Sequence, residues 1–82
     1  MGDTQTHAVF ASDLEICYEV LLYLSSRLAK LAAGEVLEYI TGDAEAEGKI
    51  VAWSEQRDIT LLAHERLADG RWRFLLQKPK GF

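Results

Sequence analysis

The chain has one cysteine and one proline among its 82 residues. A single cysteine cannot close a disulfide within the chain, so no disulfide scaffold is expected. Cationic excess is also missing. Nine Lys and Arg stand against thirteen Asp and Glu, for a formal net charge of −4, which argues against a protein that binds nucleic-acid backbones. No apolar run is long enough to span a bilayer. Met1–Thr6 is polar and carries no apolar signal core, so a cytoplasmic protein without a membrane partner is expected. Met1-Gly2 alone is a weak myristoylation cue that later positions do not strengthen. There is no phosphate-binding glycine loop and no Ser-His-Asp order. Internal repeats, low-complexity segments and dividing linkers are absent too. The chain reads as one small domain over 1–82 with an ordered core at about 7–78.

What is present is an ordinary globular composition, 49% hydrophobic and 27% charged. His7–Ala11 reads as a short strand. From about Cys17 to Leu31 the apolar residues Val20, Leu21, Leu24, Leu28 and Leu31 fall on one helical face, and Gly34 is placed to stop that helix in a left-handed conformation. Tyr18, Leu22 and Ala29 form a thinner strip, read first as packing at the helix edge and second as a partner surface. Glu35–Thr41 is nearly continuous in β-formers and predicts a central strand covered on part of both faces. Asp43 is a good N-cap for a second helix from Ala44 to about Gln56, whose core face is Ala46, Ile50 and Trp53. Ile59–Leu67 and Arg71–Lys78 read as strands joined by a tight turn at Asp69-Gly70. Trp72, Phe74 and Leu76 should face the helices, and Pro79 ends the pairing before a frayed tail. The order β-α-β-α-β-β predicts an α/β (α+β) two-layer sandwich, a four-stranded mixed sheet with both helices on one face.

Cys17 lies where the strand-to-helix turn gives way to the helix. Helix N-termini present unpaired N–H groups and partial positive charge, which suits a nucleophilic sulfur. The competing reading is that a lone free cysteine is a small buried apolar residue.

In this order of elements the chain resembles the TusA/SirA family of small sulfur carrier proteins. The family has a cysteine at the start of the first helix in a Cys-Pro-x-Pro motif, and here that place reads Cys17-Tyr18-Glu19-Val20. Gly34-Glu35-Val36-Leu37, Asp43, Ile50-Val51-Ala52-Trp53, Leu61-Leu62 and Phe74-Leu75-Leu76-Gln77-Lys78 carry the rest, so the resemblance covers roughly Val9 to Lys78. Departures are Tyr18 and Val20 in place of the prolines, Leu14 in place of a glycine three residues before the cysteine, and Asp58-Ile59 in place of Gly-His. Proline in the first turn would preset φ. Without it the turn is less rigid, but Val20 supplies an N–H that an N-cap sulfur could accept. Glu19 acts against a neighbouring negative charge.

The resemblance implies that Cys17 takes sulfane sulfur from a donor protein, a cysteine desulfurase or a rhodanese-like protein. It would hold the sulfur as a persulfide and pass it to an acceptor protein, as a sulfurtransferase or sulfur relay carrier. Tyr18, Glu19 and Val20 form the supporting turn, and no cofactor or metal is expected. The alternative is a non-catalytic TusA-like binding or regulatory module with a structural cysteine. His7 and His64 read as surface or strand histidines rather than metal ligands. Glu45 and Glu47, at i and i+2, do not face each other and read as solvated charges. Arg66, Arg71 and Arg73 are expected to gather on the outer face of the hairpin, solvated by default or serving as an anionic docking patch.

Overall fold

The computed structural model describes residues 6–80. The polar start at Met1–Gln5 and the Gly81-Phe82 end of the expected tail lie outside the described residues. The elements are β1 (Ala8–Ser12), α1 (Tyr18–Ala29), β2 (Val36–Thr41), α2 (Ala46–Gln56), β3 (Thr60–Arg66) and β4 (Trp72–Gln77). They form one four-stranded sheet in the order β1-β2-β4-β3. β1 runs parallel to β2, and the two other pairings are antiparallel. This is the expected two-layer sandwich.

Both helices cover the same side of the sheet, because their apolar stripes close on one set of strand residues. Val20, Leu24 and Leu28 of α1 and Ala46, Ile50 and Trp53 of α2 meet Leu37, Tyr39, Phe74 and Leu76 in a single core. Trp72 packs against its margin, half-buried. Each Leu or Phe fully buried this way stabilises the fold by about 1.5–3 kcal/mol relative to an exposed position. β2 lies between β1 and β4, as its apolar run predicts. Its helix-facing residues are sealed, and Val36 on the opposite side is buried as well.

Several boundaries differ from the sequence reading for identifiable reasons. α1 stops at Ala29 rather than near Leu31. Its last turn tightens through Lys30 N–H to Arg27 O (3.3 Å) and Leu31 N–H to Leu28 O (3.0 Å), and the Lys78 ammonium donates to the Ala29 carbonyl at 2.9 Å. Gly34 therefore does not end the helix. It takes φ 89° in the following turn, where Glu35 N–H donates to Ala32 O at 3.0 Å. The Tyr18–Leu22–Ala29 strip is a second correction: it is exposed rather than packed at an edge. α2 begins at Ala46 with Glu45 at its N-cap; Asp43 caps the turn that leads into it, its Oδ1 accepting Glu45 N–H at 2.8 Å and its carbonyl accepting Ala46 N–H at 3.1 Å.

The three hairpin arginines do not gather. Arg73 pairs with Glu38 and with Glu65 on the sheet face that the helices leave open. Arg66 sits over the Trp72 ring, and Arg71 binds Asp69 within the turn at 2.9 Å. One residue parity separates Arg66 from Arg73, so the pleat sends them to opposite faces. His7 Nδ1 accepts from Val36 N–H at 3.0 Å, and His64 Nδ1 lies 3.1 Å from Glu47.

Candidate functional site

The loops that follow the two parallel strands, 13–17 and 42–45, lie side by side. Their approach is close: a Cβ on Gly42 would meet the Asp13 carboxylate at 3.0 Å, so any larger residue there would require the exposed Asp13 side chain to shift. Such loops at the carboxyl ends of parallel strands are where α/β folds commonly build sites. Ser12 opens the first loop by accepting Leu14 N–H on its hydroxyl at 3.0 Å. Ile16 then turns inward and is buried in the core.

The Ile16 backbone is held at both of its polar groups, and so in the two peptides that flank it, by a pair of charges from the second loop and α2. Its N–H donates to Asp43 Oδ2 at 2.8 Å, and its carbonyl accepts from Lys49 Nζ at 3.3 Å. Lys49 also donates to Asp43 Oδ2 at 2.8 Å, while Asp43 Oδ1 accepts Glu45 N–H at 2.8 Å. The Asp43 side chain is 6% exposed. Burial works against its charge, but Lys49 and the Ile16 and Glu45 amides outweigh that and hold its carboxyl below the usual range. Lys49 is correspondingly raised, first by its hydrogen bond to Asp43. The exposed Glu15 lies 3.7 Å from the same ammonium.

The residue after this clamped peptide is Cys17. It is exposed, and its extended backbone (φ −135°, ψ −178°) makes it the N-cap of α1. Its carbonyl accepts Leu21 N–H at 3.0 Å, the first hydrogen bond of the helix. Its side chain makes no capping hydrogen bond, so the expected Val20 N–H to sulfur contact is not formed. Cys17 lines a groove of about 390 Å³ between the helices, with Ile16, Tyr18, Lys49, Trp53 and Gln56 among its other walls. The groove continues past Leu22 toward Arg57, which donates to the Ser25 hydroxyl at 3.4 Å. The exposed Tyr18–Leu22 strip is thus one wall of it. Tyr18 and Glu19 are exposed, and Val20 is buried under the first turn.

A family model described as Sulfurtransferase TusA matches residues 14–78. The chain belongs to the TusA family. A sulfur-carrier or sulfur-relay role, exercised with partner proteins, follows for this TusA-family chain in general terms. No curated protein matches it. Among the described residues no helix is long and apolar enough to cross a membrane.

Sequence reasoning reached Asp43 as a cap and missed Lys49. One signal was available. Lys49 lies in the first turns of α2, where the helix dipole disfavours positive charge. A cation there calls for a nearby carboxylate, and Asp43 is it.

Proposed function

We propose that Cys17 is the sulfur-bearing residue and that the protein relays sulfane sulfur as a persulfide between a donor protein and an acceptor protein. The observation that carries this reading is an exposed sole thiol at a helix N-cap, in a chain of the TusA family. In the loading step the Cys17 thiolate attacks the terminal sulfur of a donor persulfide. A new S–S bond forms at Cys17, the donor S–S bond breaks, and the donor cysteine leaves as a thiolate. Sulfur is transferred without net oxidation. Unloading repeats the exchange with Cys17 as the leaving group. Either a cysteine desulfurase or a rhodanese-like protein fits the donor role, and the first-turn N–H groups of α1 favour the negative charge that appears at both stages.

The Asp43–Lys49 clamp supports the same reading. It fixes the peptide before Cys17 from outside the turn, which offsets the absence of first-turn prolines. An exposed thiol packs against little, so a purely structural cysteine is the poorer account.

The test is intact-mass measurement after incubation with a cysteine desulfurase and cysteine, and separately with a rhodanese-like donor and thiosulfate. The expected result is a gain of one sulfur atom, removed by dithiothreitol and absent in Cys17→Ser. Serine is a favoured N-cap, so this variant keeps its fold. No gain with either donor moves the protein to the binding-module reading.

A further inference from the structure

The two edges of the sheet are finished differently. β3, the edge beside β4, carries a bulge between Leu61 and Ala63 and ends in His64, Glu65 and Arg66. Bulges and charges are the usual guards against strand-to-strand association. β1, the opposite edge, reads Ala-Val-Phe-Ala-Ser and has neither a bulge nor a charged side chain of its own; the one charge that reaches it is Arg27 of α1. Its outward backbone groups can be assigned. Ser12 O accepts Gly42 N–H at 3.2 Å, so in a parallel ladder Ser12, Phe10 and Ala8 bond to β2 and Val9 and Ala11 point away. Arg27 confirms the parity by donating to Val9 O at 3.4 Å from outside the sheet. Beside this edge lies a second groove, of about 420 Å³, between β1 and α1, with Phe10, Leu14, Val20 and Tyr23 in its walls. Leu14 is 67% exposed, Val9 52% and Tyr23 45%.

We infer that β1 is a homodimer edge, pairing antiparallel with β1 of a second copy. The charge pattern of α1 selects this occupant. Glu19, Tyr23 and Arg27 lie at i, i+4 and i+8, one stripe on the β1 side of the helix. Tyr23 is the midpoint of that stripe and stands 4.7 Å from the ring of Phe10, which is the midpoint of β1. A two-fold axis through these residues pairs Val9 with Ala11 of the second copy and Ala11 with its Val9, each pair exchanging both backbone hydrogen bonds once Arg27 turns from the Val9 carbonyl that it holds in the single chain. The same axis sets Arg27 against Glu19 of the second copy, and the reverse. Backbone register and side-chain charge are satisfied by one operation, as an isologous interface requires. The groove that holds Cys17 opens on the α2 side of α1, so it stays accessible in the dimer, and the inference is independent of the carrier reading.

Sedimentation velocity over a concentration series tests it, with circular dichroism as the folding control. The parent is expected to show a monomer–dimer equilibrium. Ala11→Pro removes an outward N–H and no ladder bond, and should leave monomer only. Glu19→Arg places like charges together at both ends of the interface and should weaken the dimer at least about tenfold. Glu19→Arg combined with Arg27→Glu should restore it. A parent that stays monomeric at every concentration overturns the inference, whatever other strand takes that edge. A dimer that survives both single substitutions, or one not recovered by the charge exchange, also overturns it. Should Ala11→Pro fail to fold, the charge exchange decides alone.

Discussion

α1 begins and α2 ends in turns of opposite construction. At the C-terminus of α2 the backbone closes on itself. Ile59 N–H returns to Ser54 O at 2.9 Å and Asp58 N–H to Glu55 O at 3.4 Å, with Asp58 at φ 56°. This is a Schellman closure, in which the residue after the cap is left-handed and is usually glycine. The TusA family's glycine at this place now has a physical reason, and aspartate is among the few residues that tolerate the geometry. The Cys17 turn has no such internal closure. Its N-cap side chain bonds to nothing, and the peptide before it is gripped by Asp43 and Lys49 from a loop and a helix later in the chain. A locally closed turn survives changes elsewhere. A remotely clamped one exposes its own side chain and depends on the rest of the fold, which suits the sulfur-bearing role proposed for Cys17.

The contrast can be tested in descending order of effect. If α1 is held by its buried stripe rather than by its Cys17 end, Leu28→Ala should destabilise the protein by about 2–5 kcal/mol. An unchanged denaturation midpoint would mean that the stripe does not anchor the helix. The clamp should show itself in acid. Asp43 is held below its ordinary value of 3.8, so its contribution is complete above that value and is lost as the pH falls through the lower folded value. Asp43→Asn should lower stability near neutrality and flatten the acid arm of the stability–pH curve. An acid arm that keeps its shape would remove Asp43 from the account. Asp58→Gly should raise stability by about 0.5–1 kcal/mol, because glycine takes φ > 0 without the Cβ clash. A loss in chemical denaturation would show that the aspartate side chain contributes more than its backbone strain costs.

What was legible from residue order follows the same division. The core face of α1 was readable because Val20, Leu24 and Leu28 recur at helical spacing, and Ile50 and Trp53 repeat that pattern in α2. The Asp69-Gly70 turn was readable from its dipeptide. Its type is less tight than the simplest hairpin: Gly70 takes φ 92° while Asp69 stays at negative φ, and Gly70 N–H donates to Leu67 O at 2.9 Å. The helix N-cap was placed correctly at Cys17, by the change of period there. That its side chain makes no capping hydrogen bond was not readable, because the groove it lines is assembled with residues of α2.

Sequence by itself determined the element order, the apolar stripes and the position of the sole thiol, since each is written in spacing within a few residues. Only the tertiary structure decided that Asp43 and Lys49, 27 and 33 residues from Ile16, close on its peptide, and that Arg73 leaves its neighbouring arginines for Glu38. Charges pair by distance in space, and a carboxylate that reads as a helix cap, and still accepts the Glu45 amide on one oxygen, serves distant donors as well when the fold brings an amide and an ammonium to the other.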